Sequence, residues 1–307
     1  MKISVVIPAF NEAENIEPLL KRLLPILEKY EDYEVIFVDD GSQDNSLEIL
    51  EKFHLENKKV EYVSFSRNFG HQYALRAGIE HASGDCVISM DADLQHPPEL
   101  LPQMIEEWQK GYDVVYTVRK DTQDAGLFKK ITSCLFYKIF SFFSGLRLPE
   151  GTADFRLLDK KVCDVLTHMQ EGNLFLRGMV FWMGFKQKAI DYEAQKRFKG
   201  ESSYTLRKMV ALAVLGATSF SIKPLRVAIY LGLFIAMLGG LLTTYVLYQK
   251  LFGGSVITGW SSLMSVMLVL GGVQLFMMGI IGEYVGMIFM ETKHRPKYIV
   301  QKTTIRK

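Results

Sequence analysis

Two stretches of this chain, Val227–Tyr248 and Ser261–Gly282, run for 22 residues each without a charged side chain. A helix of about 20 apolar residues crosses the hydrocarbon core of a bilayer. One such stretch has an ordinary alternative as a buried helix, but two in close succession predict a transmembrane hairpin. The link between them, Gln249–Trp260, has one basic residue, Lys250; Lys223 and Arg226 precede the first stretch, and Lys293, Arg295 and Lys297 follow the second. Lys and Arg accumulate on cytoplasmic flanks, so both ends of the hairpin are expected in the cytoplasm. The expected organisation is therefore an integral inner (plasma) membrane protein with both termini cytoplasmic. It has a cytoplasmic domain over 1–204, a juxtamembrane amphipathic helix over 205–224, spans at 225–250 and 261–290 around an extracytoplasmic loop 251–260, and a cytoplasmic basic tail 291–307.

Charge excludes a general polyanion binder: 36 Lys and Arg against 34 Asp and Glu leave a net +2, so no nucleic-acid partner is expected. Cys86, Cys134 and Cys163 are widely spaced and form no C-x-x-C. They fit a reducing compartment and packing as small apolar residues. The opening MKISVVIPAF has too short an apolar run for a signal peptide and reads as a first strand.

In the first 120 residues strand and helix patterns alternate. Strands are expected at 3–7, 34–38, 60–64, 86–90 and 113–116, and helices at 13–29, from 43, and at 71–82 and 98–110. That alternation predicts an α/β domain with a mostly parallel, Rossmann-like sheet covered by helices on both faces. Ligands in such sheets bind beyond the carboxyl ends of the strands. The polar residues found there are Asn11-Glu12, Asp39-Asp40-Gly41-Ser42, Arg67-Asn68, Asp91-Asp93-Gln95 and Arg119.

Three acidic clusters gathered at one edge repel one another. A divalent cation with a diphosphate relieves that repulsion, because hard cations take oxygen ligands and keep substrate phosphates in their shell. The sequence has neither a G-x-G nor a G-K-[ST]. A nucleotide held here must therefore rely on side chains and a metal instead of a glycine cradle.

The segments ISVVIPAFNEAENI, VIFVDDGSQDNSLEIL, SRNFGHQYALRAGIEHASGDCVISMDADLQHPPELLP and GTADFRLLD resemble family 2 glycosyltransferases of the GT-A fold. More narrowly, they are similar to the polyprenyl-phosphate group that includes dolichyl-phosphate mannose synthases and GtrB-type bactoprenol glucosyltransferases. The two-span hairpin matches the GtrB type, and the likeness extends to RPKYIV near the C-terminus. The resemblance implies that Pro8, Phe10, Glu12, Val38 and Asp40, with Asp91 and Ala92, bind the nucleotide sugar. It implies that Asp91, Asp93 and Gln95 hold Mg²⁺ or Mn²⁺, and that Asp93, Asp154 and Arg156 are the catalytic residues. The implied reaction is inverting transfer of a hexose, glucose from UDP-glucose first, to a polyprenyl (undecaprenyl) phosphate, for cell-envelope glycosylation. GDP-mannose, UDP-GlcNAc and a UDP-amino-arabinose remain alternative donors, since Thr152-Ala153 inside G-x-x-D-F-R does not fix the sugar.

A lipid phosphate has a second pKa of about 6, so it is anionic at neutral pH and needs capture more than deprotonation. Arg119, Arg156, Arg197 and Lys199 are the candidates for its phosphate. Asp154 has two readings, orientation of the sugar or of Arg156, and a helix N-cap. Residues 127–145 carry Phe128, Ile131, Leu135, Ile139 and Phe142 on one helical face with lysines alongside, the pattern of an interfacial amphipathic helix. His71, His81, His96 and His168 share no ligand spacing and are read as outside any metal site. Gly232, Ala236 and Gly240, and Gly282 with Gly286, form small-residue ridges that predict a homo-oligomer, a tetramer being the first candidate. Two rival classes are a processive polysaccharide synthase, disfavoured by the missing Q-x-x-R-W and the two spans, and a non-catalytic membrane scaffold.

Overall fold

A computed structural model describes residues 1–119, 151–169, 171–172, 175–193, 221–252 and 259–305, with 141, 145 and 149 between them. The chain divides into two compact units, one of residues 1–141, 146–209 and 295–307, the other of 142–145 and 210–294. The expected amphipathic helices at 127–145 and 205–224 lie outside the described residues almost entirely, as do Arg197 and Lys199.

The first unit opens with β1 (Lys2–Ala9), α1 (Ala13–Leu27), β2 (Asp32–Asp39), α2 (Ser46–Glu56), β3 (Val60–Phe65), α3 (His71–His81) and β4 (Cys86–Ser89). A 3₁₀ turn at Pro98–Leu100 then leads into α4 (Leu101–Gln109) and β5 (Val114–Arg119). After these come β6 (Thr152–Asp159), α5 (Lys160–His168), α6 (Leu176–Trp182), β7 (Gln187–Tyr192) and, beyond the second unit, β8 (Val300–Thr303). The strand order is β7-β5-β6-β4-β1-β2-β3-β8. Only β6 and β8 run against their neighbours, so the expected mostly parallel α/β sheet is what forms.

The local reasons are visible in the burial pattern. In α1 the residues Ile16, Leu19, Leu20, Leu23 and Leu27 recur at helical spacing, and all five are buried. β1 and β2 are buried over almost their whole length because helices cover both faces of the parallel sheet. On α3, Gly78 lets helix and sheet approach closely: a Cβ there would stand 2.1 Å from Val6 Cγ1. Cys86 and Cys163 are buried free thiols. Burial pushes Cys86 up to about 12 and raises Cys163 as well, which suits inert packing residues.

The segment expected as a basic tail is corrected by the sheet. Val63 pairs with Thr303 and Ser64 with Lys302 in antiparallel register. Tyr298 stacks on Phe65 with ring centroids 4.8 Å apart, and its hydroxyl donates to Glu80. Edge strand β3 is thus covered by the chain that follows the hairpin.

The second unit contains α7 (Lys223–Phe252) and α8 (Trp260–Thr292), which enclose the expected spans 225–250 and 261–290. Within them Lys223–Leu242 and Val269–Thr292, with mean hydropathy 2.1 and 1.6, are long and apolar enough to cross a membrane. The Tyr284 hydroxyl donates to the Ser221 carbonyl at 2.6 Å within this unit.

Candidate active site

In the strand order, β1 connects forward to β2 and β3 on one side, and the chain then returns to β4 on the other. A crevice forms where the winding reverses. The loops after β1, β2, β3 and β4 all leave the carboxyl ends of parallel strands here. β6 is antiparallel and pairs Arg156 with Ser89, so its amino end brings Thr152–Arg156 to the same edge.

Hydrogen bonds between loops fix the cleft. Asn11, at φ 57, donates its N–H to Ser42 Oγ and accepts the Gln43 N–H on Oδ1. Ser46 Oγ accepts the Glu12 N–H at 3.0 Å. The two neighbouring aspartates have different tasks. Asp39 is buried and accepts from the Ser42 N–H and Ser64 Oγ, which locks its own loop. Asp40 accepts the Phe69 and Gly70 N–H groups at 2.7 and 2.9 Å, and so holds the loop after β3. Burial raises the Asp40 pKa, partly offset by those two bonds. Gly41 (φ +71) has no room for a side chain, since a Cβ would stand 2.4 Å from the Arg67 carbonyl carbon.

A cleft of about 340 Å³ is lined by Pro8, Ala9, Phe10, Glu12, Asp40, Asn68, Gly70, His71, Ala74, Asp91, Ala92 and Asp93. Of the expected nucleotide-binding residues, Pro8, Phe10, Glu12, Asp40, Asp91 and Ala92 meet here. Val38 does not line the cleft: its side chain is fully buried in β2, a methyl 3.2 Å from where a Cβ on Gly78 would stand. Asp91 and Asp93 both face the cleft, and Asp91 Oδ1 is buried without a hydrogen-bond partner. A buried carboxylate oxygen without a hydrogen bond, beside a second carboxylate, fits a divalent cation completed by diphosphate oxygens, because such ions take one or two carboxylates plus substrate phosphates. No three carboxylate, imidazole or thiolate side chains form a cage of their own among the described residues. Gln95, expected as a third ligand, does not line the cleft; its N–H donates to Asp93 Oδ1 at 3.1 Å and closes the turn.

Beside the metal-type carboxylates lies a charge cluster built on β6. Asp154 is buried and accepts a two-point interaction from Arg177, Nε to Oδ1 and Nη2 to Oδ2, each 2.8 Å. Arg156 Nη2 adds a contact to Oδ1 at 3.3 Å, and Gln72 Nε2 one to Oδ2 at 3.4 Å. His71 Nε2 stands between the two carboxylate groups, 3.5 Å from Asp91 Oδ1 and 3.7 Å from Asp154 Oδ2. Burial alone would raise Asp154, but Arg177, His71 and Arg156 outweigh it and hold the group well below the usual carboxylate range. Burial works against protonation of His71, yet Asp154 and Asp91 raise its pKa. Burial lowers Arg156 to about 10, with Asp154 opposing.

Asp154 sits in a strand, so its alternative reading as a helix N-cap falls; that cap belongs to Asp159, which accepts the Lys161 N–H. Arg156 is 4% exposed and its Nη2 is committed to Asp154 and the Ala153 carbonyl, while its buried Nη1 has no hydrogen bond among the described residues. Arg119 is exposed at the end of β5, in register with Tyr192 of β7. His71, Gln72 and Arg177 were missed from the sequence. His71 and Gln72 lay inside the quoted SRNFGHQ segment, whereas Arg177 sits in no motif and is recruited by tertiary contact.

Over residues 4–167 the chain matches glycosyl transferase family 2, to which it belongs, and the protein is a glycosyltransferase. Residues 223–288 match the GtrB C-terminal hairpin, which together with the two apolar helices makes it a membrane protein. It is 46% identical over 304 residues to the uncharacterized glycosyltransferase YkcC of Bacillus subtilis, covering 99% of this chain and 94% of the relative. It is 41% identical over 303 residues to the bactoprenol glucosyl transferase of Shigella phage SfV, covering 98% of each. It is 38% identical over 304 residues to the prophage bactoprenol glucosyl transferase homolog of Escherichia coli, covering 98% and 99%. With the hairpin match, the two bactoprenol glucosyl transferase relatives bear out the GtrB-type group that the motifs had indicated.

Proposed function

We propose that this chain transfers glucose from UDP-glucose to the phosphate of a polyprenyl lipid at the cytoplasmic membrane face, with inversion at the anomeric carbon. The observation that carries the reading is Asp91 Oδ1, buried without a hydrogen bond, in a cleft shared with Asp93 and the nucleoside-side residues Asp40 and Glu12, and next to the Asp154 cluster. The names and full-length likeness of the phage relatives support the donor and the lipid acceptor. Asp91 and Asp93 would hold Mg²⁺ or Mn²⁺, which supplies Lewis-acid stabilisation of the diphosphate leaving group.

The chain's own residues do the rest. Asp40 and the loops it ties hold the nucleoside. Asp154 keeps Arg177 and Arg156 fixed, so cationic donors are preorganised where negative charge accumulates. The phosphate nucleophile is already ionised, and orienting it beside the sugar is the main task. Arg119 at the end of β5 is a further cation for the lipid phosphate, and Arg197 and Lys199, which lie outside the described residues, are kept as candidates for the same role. Attack from the face opposite the diphosphate converts an α-linked donor into a β-linked product.

Topology supports a single-sided arrangement. Residues on both sides of the hairpin belong to one unit, and two spans return the chain to the side it left. The basic flanks support the cytoplasm as that side. A homo-oligomer is part of the reading: a Cβ at Gly232, Gly240, Gly282 or Gly286 would meet nothing within 4 Å, which leaves room for another helix. A monomeric mass in nanodiscs would count against it.

The deciding experiment incubates the full-length protein in membranes with undecaprenyl phosphate and labelled nucleotide sugars, with and without a chelator. Label from UDP-glucose should enter lipid only with added Mg²⁺ or Mn²⁺. Transfer from another donor refutes the sugar, full activity under chelation refutes the metal, and an α-linked product refutes inversion.

A further inference from the structure

His96 is 5% exposed, yet it belongs to the loop that presents Asp91 and Asp93. β4 ends at Ser89, and the Met90 N–H still bonds the Val6 carbonyl of the neighbouring strand. The next donor, the Asp91 N–H, has left the sheet and is taken by His96 Nδ1 at 2.9 Å. A side chain five residues ahead therefore closes a ring around the turn. Within that ring Leu94 adopts φ 62, and the Gln95 N–H bonds Asp93 Oδ1. Because Asp91 N–H is the donor, Nδ1 must offer its lone pair, which places the ring hydrogen on Nε2.

The imidazole is itself held. It stacks on Phe155 with centroids 5.1 Å apart and planes 18° from parallel, and Tyr192 meets it edge-on at 6.0 Å. Phe155 lies between Asp154 and Arg156 on β6, with its side chain on the opposite face of the sheet. One ring thus touches the backbone of the first carboxylate and the strand that carries the charge cluster.

We propose that His96 is a positioning residue: by accepting the Asp91 N–H it fixes the turn that aims Asp91 and Asp93 at one divalent cation, and by stacking on Phe155 it keys that turn to Asp154 and Arg156. The inference rests on the metal reading above. Its physical basis is that outer groups fix the orientation of metal ligands, and that losing one costs about 10–100-fold in metal affinity. A merely space-filling histidine makes a different demand, since it needs a ring and no acceptor.

Two substitutions separate these roles. His96→Phe keeps an aromatic ring for Phe155 but has no acceptor, which strands the Asp91 N–H. His96→Asn loses the ring, while its Oδ1 stands two bonds beyond Cβ, as Nδ1 does. Mn²⁺ binding to the full-length protein with saturating UDP is read by electron paramagnetic resonance of the unbound ion, beside thermal unfolding. His96→Phe should weaken Mn²⁺ binding by about 10–100-fold while unfolding later than His96→Asn. His96→Asn should bind Mn²⁺ more tightly than His96→Phe although it unfolds earlier. Wild-type Mn²⁺ affinity in His96→Phe, or Mn²⁺ affinities that follow thermal stability across the two variants, would overturn the inference. Failure of the wild-type protein itself to bind Mn²⁺ with UDP would instead overturn the metal reading beneath it.

Discussion

Replacing Asp154 by Asn tests the charge cluster most severely. The substitution keeps volume and some hydrogen-bonding capacity but removes the one negative charge between Arg156, 4% exposed, and Arg177, which meets it through two 2.8 Å bonds. Removing one partner of a buried ion pair costs about 3–5 kcal/mol, because the other charge is left unpaired in a poorly hydrated place. For a unit of this size each kcal/mol moves the midpoint by about 2–4 °C, so the expected drop is roughly 6–20 °C. The chain contains three tryptophans; in a Trp260→Phe background the fluorescence comes from Trp108 and Trp182, both in the first unit. Adding Arg156→Met to Asp154→Asn removes the stranded charge as well and should recover part of the loss. The pH dependence follows from the sign of the shift. Asp154 is depressed in the folded protein, so its contribution is complete above the unfolded value of about 3.9. It is lost only as pH falls below that value toward the folded one. Because Asp154 also raises the His71 pKa, the gap between wild type and Asp154→Asn should hold or widen from pH 7 to 5 and begin to narrow only below pH 4. A drop under about 3 °C at pH 7, or a gap that closes between pH 7 and 5, would refute the account.

Gly41→Ala forces a Cβ to within 2.4 Å of the Arg67 backbone at positive φ. Left-handed backbone alone costs about 1–2 kcal/mol, and displacement of the Asp40 loop should weaken UDP binding measured by calorimetric titration. Tyr298→Phe removes the hydroxyl that donates to Glu80 but keeps the stack on Phe65. It should cost about 1.5–3 kcal/mol in the first unit and speed proteolysis of the C-terminal strand.

What the sequence determined by itself are the features that depend on short-range pattern. The hairpin was legible because a charge-free run of bilayer length has few other uses. The parallel sheet was legible from β1 to β5, where apolar runs and helical spacing alternate. Asp40, Asp91 and Asp93 were legible because the carboxyl ends of successive strands in such a sheet share one edge, whatever the remaining folding details. The tertiary structure decided what depends on long-range pairing. The DFR segment serves the site only because β6 runs antiparallel beside β4, and no local signal distinguishes that strand direction. Arg177 reaches Asp154 across 23 residues, and His71 stands between a carboxylate on β6 and one on the loop after β4. Val38 and Asp40 are two residues apart, but β2 ends at Asp39, so Val38 stays packed within the sheet while Asp40 leaves it and lines the cleft. The basic C-terminal segment has the composition of a solvated tail. It becomes a strand because β3 is an edge whose unpaired backbone groups gain a partner only from chain that has already passed through the hairpin.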